Sequence, residues 1–201
     1  MSKFWPLLLS CALLGRASIA RETTEDIVSQ IQDRRAAKDS LLRQSADSPI
    51  PRDQRAAFDG LDYFPIDLRF RVSGELHIYG RRQQIQVPTT DGSMTAMERF
   101  GRFVAQLEGK AFWVEVHRSL ENSELLVMFK DATNGHSTYS GGRYGALTTL
   151  DNITYILDFN NVYNPYCAYD PSYVCPLPPN QNYLNFEIGA GERKYGANLA
   201  H

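Results

Sequence analysis

The chain has 201 residues, of which 43% are hydrophobic and 22% charged, an ordinary globular composition with enough apolar side chains for one buried core. A formal net charge of -2 supplies no broad electropositive field, which sets nucleic acid aside as a partner. One domain is the default.

The N-terminus reads as a processing signal. Lys3 gives a positive start, Phe4 to Gly15 is an uncharged apolar run, and Ser18 and Ala20 are the small residues that signal peptidase inspects. Cleavage is expected after Ala20, giving an exported protein, periplasmic or secreted. The run falls short of the roughly 20 apolar residues that span a bilayer, so no transmembrane segment is expected. A competing reading takes Leu8-Leu9-Ser10-Cys11 as a lipobox, with a lipid anchor at Cys11. The short apolar stretch before Cys11 and the apolar Ala12-Leu13-Leu14 behind it weigh against the anchor.

From residue 21 to 60 the pattern is that of a helical arm. Thr23 is a candidate N-cap, followed by Glu25 and Asp26 at the positive end of the helix dipole. Ile27, Ile31, Leu41 and Leu42 form one apolar stripe in an otherwise polar segment, which predicts an amphipathic helix to about Ser45. Ser48-Pro49-Ile50-Pro51 breaks it, and Arg52 to Phe58 reads as a second, short helix ending near Gly60. Such an arm either covers an open sheet edge or mediates dimerisation. Arg34-Arg35 and Arg81-Arg82 read as solvated surface.

Residues 61–201 change period. Strands are expected at Leu68 to Val72, Glu75 to Tyr79, Gln83 to Val87, Glu98 to Leu107, Ala111 to Arg118, Leu125 to Phe129, Ile153 to Phe159 and Leu184 to Ile188. Ser73-Gly74, Thr90-Asp91-Gly92, Glu108-Gly109-Lys110 and Glu121-Asn122-Ser123 supply turns between them. The expected fold is mainly β: an antiparallel meander closing into a small barrel or sandwich, preceded by the helical arm. Phe103, Phe112, Trp113 and Phe129 are read as core packing, and Pro176 to Pro179 as a rigid connector.

The residues able to carry chemistry gather in two stretches, 131–144 and 158–179. Asp131 stands at the exit of a strand, and Gly141 and Gly142 precede Arg143, an arrangement able to cradle a small polar or anionic ligand between backbone N–H groups and a guanidinium fork. The bland alternative is that Arg143 pairs with Asp131 or Asp158 and only locks the loops. Asp158 and Asn160 have strand spacing and share one face, with Leu157 and Phe159 on the other. Asn164 follows in a turn closed by Pro165. With Tyr139, Tyr163, Tyr166 and Tyr169 these amides make a polar aromatic surface, although such amides commonly bond their own backbone.

In an exported chain that has lost Cys11, Cys167 and Cys175 remain as an even pair, and a disulfide stapling a short loop is expected, worth roughly 2–3 kcal/mol. A metal or redox thiol pair is the alternative, but zinc needs two more ligands and no His or Cys lies at finger spacing. His117 and His136 are too scattered to assign. No metal and no cofactor are expected. The chain lacks a Gly-x-Ser-x-Gly elbow, a His-Glu-x-x-His pair, a phosphate loop and a dinucleotide fingerprint.

Phe64-Pro65, Phe129-Lys-Asp131-Ala-Thr-x-Gly135, Thr138-Tyr139-x-Gly-Gly-Arg143-Tyr144, Asp158-Phe-Asn160, Tyr163-Asn-Pro165, Cys167-Ala-Tyr169, Cys175-Pro-Leu-Pro-Pro179 and Ala190-Gly-Glu192 together resemble the bacterial and archaeal family known as domain of unknown function 1684. The resemblance covers nearly all of the chain after residue 20 and implies no established activity. It also implies that the two cysteines act as free thiols or metal ligands in members without an export signal.

Three functions fit these observations. The first is a binding protein whose two loops take a small polar or anionic ligand through Asp131, Tyr139, Gly141, Gly142, Arg143, Asp158, Asn160 and Asn164. The second is a hydrolase with Asp131 or Asp158 as general base, Glu192 being a further carboxylate within reach of an acid–base pairing. The third is a structural or envelope-interaction protein in which the same residues only staple loops.

Overall fold

A computed structural model of the protein describes residues 22–151 and 153–196. The expected signal segment, its cleavage point and Cys11 lie outside the described residues.

The arm begins with helix α1 (Thr24–Gln44). Thr23 caps it reciprocally: its hydroxyl accepts from the Asp26 N–H at 3.1 Å while Asp26 Oδ2 accepts from the Thr23 N–H at 3.0 Å. Ile31 and Leu42 are buried, whereas Leu41 is 64% exposed, so the inward stripe is narrower than its sequence suggests. No second helix follows. Residues 52–57 form successive turns, because the Arg55 guanidinium draws in the carbonyls of Ser45, Ser48 and Ile50 at 2.7 to 2.8 Å and holds the segment in a knot.

Six antiparallel strands then close a barrel in chain order: β1 (Arg71–Pro88), β2 (Met94–Leu107), β3 (Lys110–Arg118), β4 (Leu125–Phe129), β5 (Arg143–Thr149) and β6 (Thr154–Asp158). β1 pairs with both β2 and β6, which closes the barrel on itself. The three strands expected between residues 68 and 87 are instead one strand, preceded by a 3-10 turn at Leu68–Phe70. Gly74, taken as part of a turn, lies inside β1, where a Cβ would stand 2.4 Å from the Val104 carbonyl oxygen. Between Ile78 and Gln83 the chain takes five steps while β2 takes two, from Gly101 to Arg99. This bulge bends β1, and its distal half pairs with β2 alone.

The alternation of β3 sets the interior. Phe112, Val114 and Val116 join Phe103, Leu107, Val127, Phe129, Leu147, Leu157 and Phe159 in one core. Trp113 points the other way and is 38% exposed under the Arg102 guanidinium at 4.3 Å, so it is not core. On the outer face Leu126, Met128 and Tyr144 form a second cluster with Val87 and Met97.

β5 replaces an expected loop. Arg143, Gly145 and Leu147 share the inward face, and Gly145 is required there because a Cβ would press on Val162 and Leu157 at 3.0 and 3.2 Å. Leu184 to Ile188 is not a strand. It runs beside residues 130–132, its Leu184 N–H donating to the Lys130 carbonyl and its Phe186 carbonyl accepting from the Ala132 N–H, and it folds over the barrel end with Leu184 and Ile188 buried in the core.

Candidate functional site

Arg143 and Asp131 sit at the barrel end where β4 stops and β5 starts, and neither side chain has any exposed surface. Arg143 Nη2 donates to Asp131 Oδ2 at 2.9 Å and to the Ile188 carbonyl at 2.8 Å, and Nη1 donates to the carbonyls of Ala190 at 2.5 Å and Glu192 at 3.3 Å. Asp131 Oδ1 accepts from the Thr133 N–H, the Thr133 hydroxyl and the Ile188 N–H at 2.9, 2.6 and 3.2 Å. Burial lowers the Arg143 pKa, with Asp131 the chief opposing influence. Of the two readings of Arg143, the pairing with Asp131 is the one realised. Both terminal nitrogens of its fork are occupied by protein acceptors, and Nε is buried without a partner, so the fork offers an anion no free terminal donor.

The glycines before it have the same structural character. Gly142 has φ +98, and a Cβ there would lie 2.6 Å from the Phe129 carbonyl oxygen. Its N–H donates to the Tyr139 carbonyl at 3.1 Å. A Cβ on Gly141 would overlap the Tyr139 ring at 2.3 Å. The Tyr139 hydroxyl donates to Cys167 Sγ at 3.8 Å.

Asp158 forms a separate knot. Its Oδ1 accepts from the backbone and side-chain N–H groups of Asn160, and its Oδ2 from Arg71 and Asn161, all at 3.0 Å. Asn160 lies in a 3-10 turn rather than on the strand, and its amide exchanges two bonds of 2.9 Å with the backbone of Asp67. The Asn164 amide donates to the Arg193 carbonyl at 2.8 Å.

The expected Cys167–Cys175 bridge is absent. Both are buried free thiols, with the Cys167 N–H donating to Cys175 Sγ at 3.2 Å. Burial pushes the Cys175 thiol up to about 12, which disfavours the thiolate that metal binding or exchange requires. Among the described residues no group of three or more His, Cys, Asp or Glu stands together as a metal site, and no helix is long and apolar enough to cross a membrane.

The candidate site lies between α1 and the chain after β6, a cavity of about 360 Å³ lined in part by Asn160, Tyr163, Tyr166 and Glu192, which the sequence singled out, and in part by helix residues that sequence reasoning missed. Arg34, Arg35 and Lys38 of the helix line it with Tyr63, Tyr163 and Glu192. Their spacing was the available signal, since residues three and four apart share a helix face. Lys38 Nζ forms an ion pair with Glu192 Oε1 and stands 4.9 Å above the Tyr163 ring. Glu192 Oε2 accepts from the Asn164 N–H at 2.8 Å and the Tyr169 hydroxyl at 2.5 Å, and burial beside this carboxylate drives the Tyr169 pKa well up. Arg35 stacks 4.5 Å from the Tyr63 ring centroid and donates to the carbonyls of Phe64 and Asn160 at 2.9 and 3.1 Å. Its Nε is buried without a partner. Burial also lowers the Arg35 pKa even though Asp158, Glu192 and Asp39 act against it. The three cations thus face one lining carboxylate, itself already bonded.

A further polar cluster lies on the outer face of β3. Glu115 is held by Arg99 Nε and Nη2 at 2.5 and 3.2 Å and by the Tyr79 hydroxyl at 3.2 Å. His117, unassigned from sequence, is buried beside it with Nδ1 unpartnered, and desolvation lowers its pKa.

A closed six-stranded barrel with an arginine-stapled end, strapped by a helix over a cationic cavity, defines a small β-barrel domain with one ligand-sized recess against its helix. The chain belongs to the family described as protein of unknown function, DUF1684, whose model matches residues 56–193. It is similar to the solution NMR structure of an uncharacterised protein of Haloarcula marismortui, with 34% identity, a TM-score of 0.68, and coverage of 89% of this chain and 98% of that one. No curated protein matches the chain.

Proposed function

We propose that the protein is an exported binding protein for a small organic anion, which seats in the cavity between α1 and the barrel. The observation that carries this reading is the excess of Arg34, Arg35 and Lys38 over the single lining carboxylate, with Arg35 Nε unpartnered. Arg35 and Lys38 are partly desolvated, and such cations gain from an anion more than surface ones like Arg34 do. Tyr63 and Tyr163 supply flat walls for an organic body. Binding is favoured over hydrolysis because both oxygens of Asp131 and of Asp158 are already taken by donors within the protein, leaving neither free to accept a proton from substrate.

Titration calorimetry with benzoate and butanoate tests the reading. Both are expected to bind, and Arg34→Glu, a change at an exposed position, is expected to weaken binding at least tenfold with an unchanged melting temperature. Failure of both anions to bind, or indifference to Arg34→Glu, refutes it. Export belongs to the same proposal: the mature protein is expected to begin at Arg21. Intact-mass measurement of protein recovered from its native host checks this, and a mass retaining residues 1–20 refutes cleavage.

A further inference from the structure

The helix-side cavity shares part of its lining with a neighbouring one. Tyr163 and Tyr166 line it and also line a second, larger cavity of about 840 Å³ on the outer face of β4 and β5. Buried Met97, Leu126 and Tyr144 line this second cavity, and so do Met94, Leu120 and Val174, which are 58%, 46% and 52% exposed. Single exposed apolar residues are ordinary on a protein surface, but several gathered at one concavity mark a place where an apolar ligand or partner lies. The edge-to-face pairs Tyr144–Tyr163 and Tyr166–Tyr173, with ring centroids 6.0 and 5.4 Å apart, give this groove aromatic walls.

Charge distinguishes the two neighbouring cavities. The charged residues lining the apolar groove are Glu121 and Glu124, whereas the helix side carries Arg34, Arg35 and Lys38. An anionic head is repelled from the first and attracted to the second, which leaves the groove, with Met97, Leu126 and the exposed Met94, Leu120 and Val174, to take a hydrocarbon chain.

We propose that the ligand is a single-chain anionic amphiphile, a long-chain carboxylate, with its head at Arg34, Arg35 and Lys38 and its chain passing Tyr163 and Tyr166 to lie along Met97 and Leu126. This rests on the reading of the helix-side cavity as an anion site and adds the chain and its groove. The charge complementarity selects an amphiphile over a neutral lipid, and the two cavities sharing the same tyrosines allow one molecule to occupy both.

Calorimetric titration with butanoate, octanoate and dodecanoate below their micellar concentrations, with 1-octanol as the uncharged counterpart, tests the inference. Affinity is expected to climb with chain length, by up to about fourfold for each methylene fully buried, and octanol is expected to bind at least tenfold more weakly than octanoate. Leu120→Glu and Val174→Glu, both at exposed positions, are expected to weaken dodecanoate at least tenfold while circular dichroism stays unchanged. Equal affinity for the three carboxylates overturns the chain groove and leaves the anion site standing, whereas no binding of any of them overturns both. Octanol binding as tightly as octanoate refutes the head assignment. Dodecanoate binding indifferent to both groove substitutions refutes the path of the chain. Sedimentation of the unliganded protein completes the test: a dimer abolished by the same substitutions makes the groove a contact between copies and overturns the proposal.

Discussion

Asp131→Asn isolates what the buried pair at the barrel end contributes. The substitution preserves shape, and the remaining oxygen keeps its acceptor role toward Thr133 and Ile188. At the Oδ2 position an N–H₂ group now faces the Arg143 Nη2 donor that previously stood 2.9 Å from a carboxylate. The Arg143 cation is left with three carbonyls, the weaker influence of the Glu192 carboxylate and no exposed surface. Removing one partner of such a desolvated pair costs about 3–5 kcal/mol, a large share of the 5–15 kcal/mol typical of a folded domain. At about 2–4 °C per kcal/mol for a chain of this size, the melting temperature is expected to fall by about 10 °C. Urea unfolding followed by circular dichroism checks it, with an unchanged m-value showing that the same surface is exposed. Arg69→Met is the control, since Arg69 pairs with Asp67 in solvent at 68% exposure and is expected to leave the urea midpoint where it was. If Asp131→Asn costs no more than Arg69→Met, the arginine staple does not stabilise the fold and the reasoning fails.

Two further outcomes follow from single positions. Gly142→Ala forces a Cβ into a φ of +98 and onto the Phe129 carbonyl, while Gly135→Ala, at φ +82, meets nothing within 4 Å; the first is expected to destabilise by about 3 kcal/mol and the second by about 1 kcal/mol, and equal losses in urea unfolding would show that the close contact carries no cost. Desolvation sets the His117 pKa below its unfolded value near 6.5, so the unfolded chain binds the extra proton first, and the contribution of neutral His117 is full above pH 6.5 and declines as pH falls from there toward the lower folded value. Urea midpoints between pH 7.5 and 5 are expected to drop on acidification, and His117→Gln to flatten that drop; an unchanged slope in the variant refutes the assignment.

The sequence made the local signals legible and left the long-range ones hidden. Thr23 with Asp26 announces the start of α1, and Glu108-Gly109 announces a tight turn because both residues take positive φ. Gly74 misleads, since a glycine admitting the β2 backbone looks the same in sequence as a glycine making a turn. β5 escapes because its inward residues are an arginine and a glycine, neither of which fits a hydrophobic alternation. The composition of the 131–144 and 158–179 stretches located the special residues but could not tell a filled guanidinium fork from an open one. That distinction depends on the carbonyls of Ile188, Ala190 and Glu192, more than forty positions away. The cavity was invisible for the same reason: Lys38 and Glu192 lie 154 positions apart.

The two halves of the molecule meet at Glu192. Its backbone carbonyl accepts from Arg143 inside the barrel end, and its side chain accepts from Lys38, Tyr169 and the Asn164 N–H on the cavity side. The residues that look most like a site therefore act through position: the Arg143 staple fixes the backbone at 188–192, which fixes the carboxylate that in turn fixes Lys38 over Tyr163. A helix held to a barrel by a part-buried lysine–glutamate contact presents Arg34 and Arg35 on a rigid base, and rigid placement is what lets a few cations select a ligand. Loss of Asp131 is therefore expected to weaken anion binding as well as stability, although Asp131 touches neither the cavity nor its ligand. The loss in affinity should exceed the unfolded fraction measured under the same conditions, because a loosened 188–192 segment releases Lys38 before the barrel opens.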